Sequence, residues 1–271
     1  MQAHGTFSFP EKGVLHAWPH GFLLTAPTFR VDRGTCPTRR PSIRIMLSEL
    51  SPFEVEFSDG SRISTKAVLM SEKTRRRRII ASNSNFVLFD FAASTPEYAA
   101  LHPLIANQQI VHLENRRLRR LLSGIARTAS GELSGEELKQ LRHGLVLAIS
   151  GTRPEEPPLD ARVTAALELI HTLRLEDISL PLMAASLHLS PERLRHLFKK
   201  QIGHPVSHYA RAAAIRKALV VWSKNQTLTD LAQQVGFHDA SHFNHAFREM
   251  LGFPPMIITD AGSLRMISHV N

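Results

Sequence analysis

Cysteine is nearly absent: Cys36 is the one copy in 271 residues. An internal disulfide framework is excluded, and the usage suits a reducing cytoplasm. Long apolar runs are missing too. No stretch approaches the roughly 20 apolar residues that a membrane-spanning helix needs, and the first residues lack the shape of a signal peptide. A cytoplasmic protein with no membrane partner is the expectation. Histidine is plentiful, with 15 copies, yet none lies between Ser42 and Ala92. Acidic residues are the scarcer charge, 24 against 33 Lys+Arg, for a net +9 and a pI near 10.3. That balance favours an acidic partner such as nucleic acid. The excess is spread out, however: residues 158–271 hold 12 basic and 9 acidic residues, net +3, and residues 1–157 hold 21 and 15, net +6. Bulk charge alone is a weak pointer.

Residues from about 20 to 92 read as short strands. Ile43, Ile45 and Leu47 alternate with Arg44 and Met46, and Phe53, Val55 and Phe57 alternate with Glu54 and Glu56. Ser58-Asp59-Gly60 supplies a tight turn. Further strands fit Ala67–Met70, Arg77–Ala81 and Phe86–Phe91, and several short strands divided by turns predict a small barrel or sandwich. After Ser94-Thr95-Pro96 the period becomes helical. Glu114–Thr128 carries Leu118, Leu121, Leu122 and Ile125 on one face, ringed by Arg116, Arg117, Arg119 and Arg120. Ser134-Gly135-Glu136-Glu137 resembles a capping box opening a helix over Leu138–Ile149. These helices pack either on the β domain or on a second copy as a homodimer. The division expected is 1–94 for the β domain, 95–150 for the helical segment, 151–158 for a linker (GTRPEEPP), 159–259 for an all-α domain and 260–271 for a tail without pattern.

Within the α domain one segment occurs twice. Ser190–Gly203 (SPERLRHLFKKQIG) and Asp239–Gly252 (DASHFNHAFREMLG) align without a gap at a spacing of 49. Leu194 answers Phe243, Phe198 answers Phe247, His196 coincides with His245 and Gly203 with Gly252. Upstream, Leu180, Ala184 and Leu187 match Leu228, Ala232 and Val235 at a spacing of 48, so the second turn is one residue longer. Each copy reads as a short helix, a turn, and a second helix started by a capping oxygen from Ser190 or Asp239. Leu194, Leu197, Phe198 and Ile202 form one inward stripe, and Phe243, Ala246, Phe247 and Leu251 the other. Glu192, Arg195, His196 and Lys199 are left outward on the first helix, and Ser241, His242, His245 and Arg248 on the second. Such side chains suit a major groove, where Arg bonds guanine and Ser or His bonds base edges or phosphate. A long helix near Ser207–Ser223, with Tyr209, Ile215, Leu219 and Trp222 inward, would space the pair about one helical turn of DNA apart.

Residues from about 160 to 259 resemble the DNA-binding domain of the AraC/XylS family of bacterial transcription regulators. The resemblance is carried by Leu189-Ser190, Leu194, Leu197-Phe198-Lys199 and Gly203, then by Tyr209, Ala218, Leu228, Leu231-Ala232, Val235-Gly236-Phe237, Ser241, Phe243, Phe247-Arg248, Gly252 and Pro255. It implies base reading by Glu192, Arg195 and His196 and by Ser241, His242 and His245. It also implies promoter DNA and RNA polymerase as partners, and a nucleoid location. Three positions depart from the pattern. Ala214 and Thr259 stand where the family usually has Arg, and His245 replaces a frequent Arg. Fewer charged contacts to phosphate and guanine follow, and each lost phosphate contact flattens the salt dependence by nearly one unit.

The resemblance further implies an N-terminal cupin-like sensor, so the fold expected is α+β with a small β-barrel ahead of the double helix-turn-helix domain. Metal-binding cupins use strand histidines, which Ser42–Ala92 lacks; no catalytic, metal or cofactor site is expected. What the segment does carry is Lys73-Thr74-Arg75-Arg76-Arg77-Arg78. On a strand, Arg75 and Arg77 share a face, and with Arg44 they would form a fork for an anionic effector such as a cyclic dinucleotide. A solvated loop or a patch on the DNA backbone is the alternative. The leading function is a ligand-responsive, sequence-specific regulator. An architectural DNA binder without effector control and a cupin enzyme with a DNA-binding appendage are the others.

Overall fold

The computed structural model describes residues 7–8, 12–32, 40–114, 118, 121–260 and 262–270. Cys36, Arg116, Arg117, Arg119 and Arg120 lie outside the described residues. Twelve strands are described: β1 Phe7–Ser8, β2 Gly13–Trp18, β3 Gly21–Ala26, β4 Phe29–Asp32, β5 Ser42–Ser48, β6 Phe53–Phe57, β7 Arg62–Thr65, β8 Ala67–Met70, β9 Arg76–Ala81, β10 Phe86–Ala92, β11 Ile110–His112 and β12 Leu264–Ser268. They form two sheets, ordered β1-β4-β9-β6-β7 and β11-β8-β5-β10-β3-β2-β12. The inward residues of both share one core, with Phe29 stacked on Phe86 at 4.9 Å and Phe53 edge-on to Phe86 at 5.2 Å. The expected cupin-like barrel is therefore sheet-rich but open, because hydrogen bonding breaks into two separate sheets.

The alternation in β5 predicts a half-exposed strand, yet all seven of its residues are buried. Helices cover the second face. α1 (Pro96–Ile105), which the sequence pattern did not announce, lies against β5 and β10, and α3 (Gly135–Ser150) packs on α1, so that Leu101, Ile105, Leu138 and Leu145 share one core with Ile43, Ile45 and Phe89. α2 (Leu122–Ser130) lies beside β2 and β3. The capping box before α3 is present: Ser134 Oγ accepts from the Glu137 amide and Glu137 answers to the Ser134 amide. Of the apolar stripe expected in this segment, Leu118 and Ile125 are buried within the chain and Leu121 is half-buried.

The C-terminal helices are α4 (Ala161–Thr172), α5 (Leu180–Ser186), α6 (Pro191–Ile202), α7 (Val206–Val221), α8 (Leu228–Gln234), α9 (Ala240–Leu251) and α10 (Met256–Thr259). Beyond them the tail, which carries no sequence pattern, forms β12 and pairs in parallel with β2, Leu264 opposite Gly13 and Ser268 opposite Ala17. A strand can join a sheet edge through backbone bonds alone, so little of it is written in side chains. Ser268 Oγ also donates to the Val220 carbonyl at 2.7 Å, tying the tail to the end of α7.

Candidate nucleic-acid interface

Each repeat builds the same local object. Ser190 Oγ accepts from the Arg193 amide at 3.2 Å to start α6, with Pro191 at a position whose N–H is unused. Asp239 accepts from the His242 amide at 2.7 Å to start α9, and that bond holds the Asp239 carboxyl below its ordinary range. Gly203 (φ +82°) and Gly252 (φ +99°) end the two helices in the left-handed conformation. Leu194, Leu197, Phe198 and Ile202 are buried, as are Phe243, Ala246, Phe247 and Leu251. The faces opposite are open: Glu192, Arg195, His196, Lys199, Ser241, His242 and His245 are exposed and Arg248 is half-buried. Arg195 is ion-paired to Glu192 one turn back, and the His242 ring sits edge-on to Phe237 at 5.2 Å.

The turns differ as their lengths predict. In the first, His188 takes a positive φ of +54°; in the second, the matching place is Gly236 at +87°. Gly236 is required for a second reason. A Cβ there would lie 2.4 Å from the Leu175 amide nitrogen, because residues 174–176 cross the turn and Leu175 N donates to the Val235 carbonyl.

Helix α7 joins the two units and faces the β domain. Tyr209, Ile215 and Leu219 are buried as the period requires, and Trp222 is half-buried. The Tyr209 hydroxyl meets Ser94 Oγ at 2.7 Å and His171 Nε2 at 3.3 Å. Arg216, unremarked in the sequence, is 1% exposed and donates to Asp90 Oδ1 at 3.1 Å. Asp90 Oδ2 accepts from Arg44 Nε at 2.7 Å and Ser42 Oγ at 2.8 Å. Burial pushes the Asp90 carboxyl up, but the two guanidinium groups outweigh it and hold the group at about 2. Part of the signal for this cluster was present: Asp90 in FVLFDFA and Arg44 in SIRIMLS are lone charges in apolar runs, and a buried charge must be paired, whereas Arg216 in AAAIRKA stands beside Lys217.

The cationic fork expected from Arg44, Arg75 and Arg77 is not brought together. Arg44 is buried on Asp90, while Arg75 and Arg77 are exposed, Arg77 reaching Glu56 at 3.4 Å. A register shift causes this. Glu56 pairs with Arg78 but Phe57 with Arg76, so Arg77 is skipped and Arg76 takes the inner face, with Nη1 3.7 Å from Met46 Sδ.

Comparison with known proteins bears on this geometry. A family model described as a helix-turn-helix domain matches residues 183–258. The arabinose operon regulatory protein of Escherichia coli is 31% identical over 102 residues, covering 36% of this chain and 35% of that protein. The transcriptional activator RhaR of Pectobacterium carotovorum is 36% identical over 69 residues, covering 25% and 24%. The matches thus span about a third or less of these relatives' length. Among solved structures, ToxT of Vibrio cholerae O395 superposes with a TM-score of 0.53 at 12% identity over 89% of this chain and 98% of that one. ToxT of strain SCE256 bound to an unsaturated fatty acid gives 0.54 at 10% identity, over 92% and 99%. These last two show a shared two-domain α+β fold. Residues 183–258 of this chain are thus matched to a helix-turn-helix domain, in the part of the chain where the doubled helix pair lies.

Proposed function

We propose that the chain is a sequence-specific transcription regulator whose two helix-turn-helix units read the two halves of one asymmetric site. The observation that carries this is the contrast between the repeats. Their caps and cores agree, while their open faces differ, Glu192, Arg195, His196 and Lys199 against Ser241, His242, His245 and Arg248. Those eight residues are the proposed DNA contacts, with promoter DNA and RNA polymerase as partners. The division at 94, 150 and 158 and a homodimer through residues 95–150 belong to the same proposal, as does the absence of enzymatic activity. Control by a small effector acting on the β domain is supported by the buried contact of α7 with β2 and β12, since a ligand can bias DNA binding only through a shared structural element.

The test is selection of binding sites from a random duplex library with the full chain, followed by footprinting. One motif with two unlike halves, bound at least about a thousandfold tighter than random DNA, is the expected result. Near-equal affinity for all sequences would instead establish an architectural binder.

A further inference from the structure

We propose that Arg44 and Asp90 are positioning residues through which the N-terminal sheet sets the pose of the second recognition helix, α9, relative to the helix α7 that joins the two units. The inference rests on the DNA-binding reading above and concerns how that site is assembled.

One carboxylate holds two helices. Asp90 sits in β10, flanked on either side by β5 and β3, and is 0% exposed. Its Oδ1 accepts from Arg216 of α7 at 3.1 Å; its Oδ2 accepts from Arg44 Nε at 2.7 Å. Arg44 then reaches past the carboxylate, and its Nη2 donates to the Met250 carbonyl in the last turn of α9 at 2.9 Å. Arg40 Nη1 adds a longer bond of 3.4 Å to the same oxygen. The final carbonyls of a helix have no partner within it, and a cation there also meets the negative end of the helix dipole. The grip is therefore chemically specific and charge-assisted, and it is made in a dry site, with Arg44 2% exposed.

The first unit has no such tie. Among the described residues no hydrogen bond joins 191–202 to strands β2–β10; α6 ends on its own Gly203 and leans Phe198 on Tyr209, with ring centroids 5.7 Å apart. The asymmetry makes the inference specific. Helix α9 has 12 residues and is about 18 Å long. A tilt of about 10° about its gripped end at Met250 would move Ser241 and His242 by about 2 Å, enough to break a hydrogen bond.

The experiment uses the full chain on a duplex selected by the wild-type protein. The His245→Ala variant identifies the half-site read by α9. Two variants then break the grip. Arg44→Met removes the guanidinium. The triple change Arg44→Met, Asp90→Leu and Arg216→Met replaces the whole buried charge cluster by apolar groups of similar size, an exchange that buried triads tolerate without unfolding. Thermal unfolding shows which of them fold, and the triple variant decides the matter if Arg44→Met does not. The expected result is a loss of about tenfold in discrimination between matched and mismatched base pairs in the α9 half, the other half keeping wild-type discrimination. Equal loss in both halves would reduce Arg44 to a general stabiliser and overturn the proposal, as would wild-type discrimination in both. A wild-type protein that selects no sequence would instead overturn the regulatory reading, and this inference with it.

Discussion

His16 of β2 stacks on His269, 253 residues further along the chain, with ring centroids 5.2 Å apart and Nδ1 of the first 2.9 Å from Nε2 of the second. His16 Nε2 lies 2.8 Å from the Thr128 carbonyl, which can only accept, so Nε2 carries the proton and Nδ1 accepts from His269. A single neutral imidazole thus joins the sheet, α2 and the tail. A second contact of the same kind bridges β2–β3 and the C-terminal helices, where His20 meets His171 edge-on at 4.6 Å.

These pairs make stability depend on pH. Burial is the largest cause in every case and lowers the pKa of His16, His20, His171 and His269, that of His171 to about 3. Facing cations act the same way: Arg265 on His16, Arg216 and Arg142 on His20, Arg216 and Lys217 on His171, and Arg142 on His269. Glu97 opposes them at His20. Below about pH 6.5 the unfolded chain takes up protons that the folded chain refuses, so stability falls as pH falls. The melting temperature should decline from pH 7 to pH 5, and His171→Gln should show a shallower decline. A slope unchanged in that variant would remove His171 from the account. The Asp90 cluster does not contribute in this range, because its carboxyl stays ionised down to about pH 2.

The tail strand should be worth more than its sequence advertises. Leu264 is 2% exposed, and Leu264→Ala should cost about 2–4 kcal/mol by the usual cost of a buried leucine truncation. Val270 is 73% exposed, and Val270→Ala should change stability by less than about 0.5 kcal/mol. Denaturant midpoints for the two variants check both numbers.

Sequence and structure agree best where local chemistry is strong. The repeat is legible because a cap, an apolar stripe at helical spacing and a terminal glycine coincide twice, so α6 and α9 begin and end where Ser190, Gly203, Asp239 and Gly252 place them. Strands β5, β6, β8, β9 and β10 follow from alternation and turns to within about a residue. What was hidden depends on distant partners. β12 needs the free edge of β2, the burial of β5 on both faces needs α1 and α3, and the inward Arg76 needs a register shift that strict alternation at Arg75–Arg78 does not foresee. Within the candidate site, the outward faces were readable from the period, whereas the grip on Met250 joins residues 206 apart and leaves no local trace.

Gly203 and Gly236, both at positive φ, should separate by context. Gly203→Ala meets no atom within 4 Å, so it should cost the conformational strain alone, about 1 kcal/mol. Gly236→Ala adds a contact of 2.4 Å to the Leu175 amide, which is backbone and cannot step aside cheaply. Its cost should exceed that of Gly203→Ala by at least about 1 kcal/mol. Equal melting temperatures would show that residues 174–176 do not press on the second turn.

DNA binding should divide between the two open faces in a way that charge dictates. Among the proposed contacts, Arg195 and Lys199 are two exposed cations on the first helix, against the half-buried Arg248 on the second. Arg195→Ala should cost about 1–3 kcal/mol at one base pair and relax specificity there, as loss of a bidentate base contact does. Lys199→Ala should weaken binding to all sequences alike and lower the salt slope by about one unit. Glu192 pairs with Arg195 in the free protein and would face the DNA backbone in the complex. Glu192→Gln frees that guanidinium and removes a like charge from the phosphates, so affinity for random duplex should rise while discrimination at the Arg195 base pair stays or sharpens. Affinities measured for matched and mismatched duplexes over a range of salt separate these effects. A specificity loss for Lys199→Ala larger than for Arg195→Ala would reverse the roles assigned to them.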